Sequence, residues 1–320
     1  VRLAFEVAGA GAGQRTLTMD MPERKFNSDG GDRHMSINRR SLVKAIAGAL
    51  ALTAVTTAVP AHAAQGRTVN IALEGSYEPW NLTRPDGTLD GFEPELARNL
   101  CARMHVQCRL VAQDWDGLIP GLNGGKFDVI MDALSISDER KKAIAFSTPY
   151  ANTPAVFASA CPGILSKIPS NGALLKLSGD PAQVKPMVDV LRKSLKGKTI
   201  GIVTGSVYSN FINENFKDVA TIREYKSAPD HDIDLTSGRI DVAFDDAAYY
   251  ASALSKPGNS SLCLTGPRIG GAIWGDGEAL GLRKSDTDLK TMFDRAISEA
   301  LADGTLKRLS EKWFKTDVTP

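Results

Sequence analysis

The segment Ser135-Ile136-Ser137-Asp138-Glu139-Arg140-Lys141-Lys142 follows an apolar run at residues 129–131, and its residue types suit an anion. Ser137 is a good helix N-cap, with Asp138 and Glu139 in the first turn. Arg140, Lys141 and Lys142 then place cations near the positive end of the same helix, where the macrodipole disfavours them. A bound carboxylate would offset this, gripped by the Arg140 guanidinium while backbone N–H groups and the Ser135 hydroxyl add donors. A solvated helix face with local acidic partners accounts for the octapeptide equally well.

A second set is acidic and aromatic. Glu74 and Tyr77 follow the first β-rich run, Glu93 precedes the first helical pattern, and Trp115, Asp132 and the pair Asp245-Asp246 come later. In open α/β sheets ligands bind beyond the carboxyl ends of strands, where Glu74, Asp132 and Asp245-Asp246 fall. Carboxylates concentrated there suit a cation, and Tyr77 and Trp115 could sandwich its aliphatic or guanidinium part. Taken singly, the aromatics read as core packing and a strand-end Asp as a helix cap. Gly205-Ser206 opens another helix and again offers backbone donors. It is no nucleophile elbow, because Val207 and Tyr208 follow, and Gly197-Lys198-Thr199 is no phosphate loop, because Arg192 stands where its first glycine would be.

The elements that must position these residues alternate. Strands are predicted at residues 68–73, 109–112, 129–131, 155–160, 199–203, 221–225, 242–244 and 262–265, with helices in the gaps, which reads as α/β with mainly parallel sheets. Pro94 suits the first turn of a helix burying Leu96, Leu100 and Met104, and Pro85-Asp86-Gly87 is a turn. Residues 162–196 are turn-rich at their start and helical near their end, and read as a surface insertion. Asp303-Gly304-Thr305 separates two C-terminal helices.

With 38 Lys+Arg against 37 Asp+Glu among 320 residues, nothing points to nucleic acid. Arg39, Arg40 and Lys44, an apolar run at residues 45–59 and Ala61-His62-Ala63 have the order of a secretory signal peptide over 35–63. The apolar run is shorter than a bilayer needs and Pro60 closes it, which weighs against a membrane span. Paired arginines leave the export route open, and residues 1–34 are set aside as a leader or remnant. Export implies an oxidising compartment for Cys101, Cys108, Cys161 and Cys263. None of the four has C-x-x-C spacing, and His105 and His231 belong to no ligand cluster, so neither metal nor cofactor is expected.

The stretches Glu74-Gly75-Ser76-Tyr77-Glu78-Pro79-Trp80-Asn81, Asp90-Gly91-Phe92-Glu93, Asp114-Trp115-Asp116-Gly117-Leu118-Ile119-Pro120, Phe127-Asp128 through Ser135 and Arg140, and Asp303-Gly304-Thr305 through Trp313-Phe314 occur in fixed order. Together they resemble the periplasmic polar amino-acid-binding family of ABC importers, close to its lysine/arginine/ornithine, histidine and opine binders. The resemblance implies a monomeric two-lobed clamshell of type II topology with two hinge crossings. Lobe one would be 64–152 plus 267–320, and lobe two 153–266 with the insertion 162–196. It further implies Arg140, Ser135 and the Gly205-Ser206-Val207 region for an α-carboxylate, Asp246 for an α-ammonium, Tyr77 and Trp115 for stacking, and Glu74 and Glu93 for a distal cation.

Asp132 and Ala133 depart from the small hydroxyl residues usual in such binders, and Val207 from a polar one. A cationic amino acid handed to a membrane permease is the function implied, with an opine second. A dehydratase on cyclohexadienyl substrates is the enzymatic alternative on the same clamshell, and the acidic pocket argues for binding. The family often bridges the pair Cys101 and Cys108. Cys161 and Cys263, flanking paired crossing strands, are expected to form a second disulfide. Arg140→Ala is expected to abolish binding with little loss of stability.

Overall fold

In a computed structural model, which describes residues 66–320, two α/β lobes are each built around one sheet. The segment read as a signal peptide lies outside the described residues. In the first sheet the strand Thr68–Leu73 runs between Gln107–Ala112 and Val129–Ile130, parallel to both. Side chains alternate along a strand, so its residues divide between two cores. Val69 and Ile71 pack with the helices Phe92–Met104, Thr287–Ala302 and Thr305–Phe314, while Ala72 packs with Leu118 and Leu122 of the helix Leu118–Asn123. A parallel sheet covered on both faces explains why Ile71, Ala72 and Leu73 are all buried. Gly281–Leu282 and Ala145–Phe146 complete the sheet, antiparallel to each other.

The second sheet has the order Thr221–Tyr225, Thr199–Val203, Val242–Asp246, Ala155–Ala160, Leu262–Gly270, Leu174–Lys176. Its central strand continues two residues past the expected end at Phe244, so Asp245 and Asp246 still pair, with Val156 and Ala155. The chain passes to this sheet after Phe146 and returns before Gly281. The two connections pair where Ala151 and Glu278 exchange backbone hydrogen bonds of 2.9 and 3.4 Å.

Three expectations change. Leu262–Gly270 stays in the second sheet, pairing Arg268 to Gly270 with Leu174–Lys176, and Trp274 lies in the second core. The return therefore falls after Trp274, not at residue 267. The stretch 162–196 is not a surface insertion alone: it supplies the edge strand and the helix Pro181–Leu195, whose Leu191 and Leu195 are fully buried. Sequence could not show this, because the apolar face of that helix has meaning only against the second core.

The third concerns sulfur. Cys101, near the end of its helix, is bonded to Cys108 on the next strand, with Cα atoms 6.1 Å apart. Cys161 and Cys263 are free thiols. The antiparallel register pairs Cys263 with Ser159, and the Cys161 amide donates to the Ser261 carbonyl, so the two cysteines stand diagonally rather than opposite. The two side chains nonetheless meet: burial first, and the hydrogen bond with Cys161 second, raise the Cys263 thiol to about 11, and no S–S bond joins the pair. Among the described residues no helix is long and apolar enough to cross a membrane.

Replacing Cys101 and Cys108 together by Ala should lower stability by about 2–3 kcal/mol, the loop entropy of a short closed ring. Urea denaturation measures that loss, and thiol titration of the denatured parent protein should find Cys161 and Cys263 reactive.

Candidate functional site

One cavity lies where the carboxyl ends of strands from both sheets meet, as an open α/β architecture favours. Glu74, Tyr77, Trp115, Asp132, Ala133, Ser135 and Arg140 line it from the first lobe, and Val203, Ser206, Val207, Tyr208, Ala228, Asp245 and Asp246 from the second. The space enclosed is about 50 Å³, enough for a few waters. The lobes are therefore closed on each other around it.

Arg140 is the cation of this cavity. The helix Asp138–Ala143 is capped by the Ser137 hydroxyl, as its sequence predicts, and Arg140 is its buried residue. Its guanidinium donates to the Ser135 carbonyl at 3.0 Å and across the cleft to the Gly205 carbonyl at 3.1 Å, and it stands over the Trp115 ring. Burial lowers its pKa to about 10, which leaves it charged at neutral pH. The expectation that Arg140→Ala would hardly affect stability is thus corrected: the residue is 8% exposed, and truncation strands two carbonyls and uncovers the indole. Trp115 also spans the cleft, donating from Nε1 to the Thr204 carbonyl at 3.0 Å.

The carboxylates divide by what surrounds them. Glu93 is fully buried and does not line the cavity. Its Oε1 accepts from the Ala133 amide at 2.6 Å and the Tyr150 hydroxyl at 2.5 Å, and its Oε2 accepts from Asn81 at 2.7 Å. Expected as a ligand contact, Glu93 instead holds Ala133 in its left-handed conformation, φ 42°. Asp132 accepts on Oδ1 from the Glu74 amide and from Asn81, while its Oδ2 is buried without a partner among the described residues. Glu74 lines the cavity, and burial pushes its pKa up to about 7.

Asp246 caps the helix Ala247–Ala253, accepting from the Ala248 and Tyr249 amides on Oδ1, and it also accepts from the Thr153 hydroxyl. Capping and cavity lining thus coincide in one residue. Burial raises its pKa to about 6. Ser206 likewise lines the cavity while capping the helix Val207–Phe216, its hydroxyl donating to the Val203 carbonyl. Gly205 is outside the lining, and its φ of +67° turns the backbone so that its carbonyl meets Arg140.

Tyr208 and Asp245 belong to the site as well. Tyr77 donates to Asp245 at 2.5 Å across the cleft, and its ring stacks on Tyr249 with centroids 5.0 Å apart. Behind Asp245, the fully buried His231 sits between Asp245 at 3.0 Å and Asp232 at 3.1 Å. Burial alone would lower the imidazole pKa, but the hydrogen bonds the ring donates to Asp232 and Asp245 outweigh it and raise it to about 9. The adjacent His231-Asp232 pair was the sequence signal for this triad. Its third member is distant in sequence.

Residues 69–316 match the family described as bacterial extracellular solute-binding proteins, family 3. The chain is 40% identical over 276 residues to the octopine-binding periplasmic protein of Rhizobium meliloti, covering 81% of this chain and 94% of that one. It is 32% identical over 277 residues to the L-arginine-binding protein of Pseudomonas aeruginosa, covering 86% and 97%. A crystal structure of a periplasmic His/Glu/Gln/Arg/opine family-binding protein from Silicibacter pomeroyi in complex with lysine superposes with a TM-score of 0.64 at 29% identity, covering 79% of this chain and 99% of that one.

Because the folded His231 pKa lies above its unfolded value, the stability it contributes is full below about pH 6.5 and is lost as pH rises through about 9. Thermal unfolding between about pH 7 and 9.5 should show a falling midpoint, and His231→Gln should flatten that fall while lowering the midpoint at neutral pH.

Proposed function

Because the chain belongs to family 3 of the bacterial extracellular solute-binding proteins, we propose that it is a periplasmic binder that captures a cationic amino acid of the arginine, lysine, ornithine or histidine class and presents it to an ABC importer permease. The observation that carries this reading is the charge pattern of the cavity: one guanidinium, Arg140, faces several carboxylates, with Tyr77 and Trp115 beside them. Arg140, Ser135 and the helix start at Ser206 and Val207 would take the α-carboxylate. Asp246 would take the α-ammonium, Glu74 and Asp132 the distal cation. Glu93 acts one layer back, through Asn81 and the Ala133 amide. The paired connections at Ala151 and Glu278 would serve as the hinge, and the leader at residues 35–63 as the export signal. A binder is favoured over a dehydratase because the cavity's carboxylates match a cationic ligand, and a cyclohexadienyl substrate carries no side-chain cation for them to meet.

An opine is the second reading, favoured by the 40% identity to the octopine-binding protein. An opine is a conjugate whose α-nitrogen is already substituted and presents fewer donors to Asp246.

A thermal-shift screen over arginine, lysine, ornithine, histidine, octopine, nopaline, glutamate and leucine should show stabilisation by cationic members, about 2.7 kcal/mol at a hundredfold excess over Kd. Glutamate and leucine should give none. Arg140→Ala should weaken the best ligand by about 2 kcal/mol or more, read by calorimetry, and should lower the unfolding midpoint as well. Stabilisation by opines alone would select the second reading. Response to acidic or apolar amino acids alone would overturn both, and turnover of prephenate or arogenate would restore the enzymatic alternative.

A further inference from the structure

Glu93, Asp132 and Glu74 form a file of carboxyl groups running from the first core to the cavity. Asn81, itself fully buried, uses its amide nitrogen to reach Glu93 and Asp132, both at 2.7 Å. Glu93 has its donors complete, with Ala133 and Tyr150 besides Asn81. Asp132 does not: Oδ1 has two donors, while Oδ2, in a residue 2% exposed and lining the cavity, has none among the described residues. Glu74 has the Ser76 hydroxyl on Oε1. Among the described residues, neither Asp132 nor Glu74 forms an ion pair with a lysine or arginine.

Two neighbouring carboxyl groups in this setting cannot both stay ionised without a cation, since each is withdrawn from water and repelled by the other. The groups facing them deepen the problem. Glu93 stands behind, Asp114 and Asp245 bear on Glu74, and the nearby hydroxyls of Tyr77 and Tyr249 are engaged by Asp245 and Asp232. Arg140 is the cavity's cation; its field reaches Asp132, but its guanidinium is turned to the Ser135 and Gly205 carbonyls and forms no ion pair with Asp132 or Glu74. His231 is held between Asp245 and Asp232 and offers Asp132 nothing.

We propose that Asp132 and Glu74 share one proton while the cleft holds no ligand, and that docking of a cationic group expels that proton to solvent. The proton leaves a carboxyl oxygen for water, and the ligand's N–H donors take its place on Asp132 Oδ2 and Glu74. Burial pushes both carboxyl groups upward, Glu74 to about 7, so ligand affinity should rise with pH by up to about tenfold per unit while the pair holds its proton and level off once the pair is ionised. This rests on the cationic-ligand reading and adds to it that capture is proton-linked. Asp132, whose buried Oδ2 has no donor among the described residues, is the source of the linkage.

Calorimetry with L-arginine and with octopine, each in two buffers of different ionisation enthalpy at about pH 6.5, counts the protons released. The result expected is about half to one proton, falling toward zero in Asp132→Asn or Glu74→Gln. Binding with no proton release, or with undiminished release in both variants, overturns the proposal while leaving the cationic reading intact. Absence of binding by every cation sinks that reading instead. The proton can still be read in the free protein, as the component of the infrared protonated-carboxyl band that either variant removes, over the contribution of other buried acids such as Glu278, which burial raises to about 8. Its absence from the parent protein overturns the proposal whatever binds.

Discussion

A carboxylate taken out of water must find donors, a cation or a proton, and the cleft between the two lobes is organised around that constraint. Each acid there has a different solution. Glu93 is surrounded by donors, Asp246 is set on the first amides of a helix, and Asp245 faces His231 and Tyr77. Asp132 and Glu74 are left short of donors and face the cavity. The groups with complete shells build the walls. The incomplete ones are where a ligand's charge has an effect, because only there does its arrival change the electrostatic balance.

The same contacts give closure a polar component beside the stacking of Tyr77 on Tyr249 and the packing of Trp115 against the second lobe. Arg140 to Gly205, Trp115 to Thr204 and Tyr77 to Asp245 all cross from one lobe to the other. Each hydrogen bond is modest in net terms because its partners are well solvated when the lobes part. The apolar clusters lie on the faces of each sheet, where Leu96, Leu100 and Phe293 secure one lobe and Leu191, Phe216 and Phe244 the other.

Asp246 and Ser206 show why reading one role per residue fails at this site. Each caps a helix and each lines the cavity, since a helix start at the carboxyl end of a strand points its free amides at the place where ligands bind in α/β sheets. A helix cap and an anion or cation contact are there the same piece of geometry. Substituting either residue therefore perturbs the helix and the cavity together.

Local pattern by itself determined much of this protein. The alternation of strands and helices, the Ser137 cap, the turn at Pro85-Asp86-Gly87 and the placing of Glu74, Asp132 and Asp246 at strand ends follow from spacing, while the family resemblance brought Arg140, Tyr77 and Trp115 to the same site. Tertiary structure decided what lay between elements distant in the chain. Glu93 looked like a cavity residue because it starts a helix, yet the first core absorbs it, as Asn81, Ala133 and Tyr150 arrive from three other segments. Arg140 looked exposed until the second lobe covered it. Cys161 and Cys263, expected to be bridged, stand diagonally across paired strands as neighbouring free thiols. Residues 162–196 looked peripheral until Leu191 and Leu195 met the second core. Sequence records which groups a segment carries, but burial, register and hydrogen-bond partners depend on distances between segments, which only the packed chain fixes.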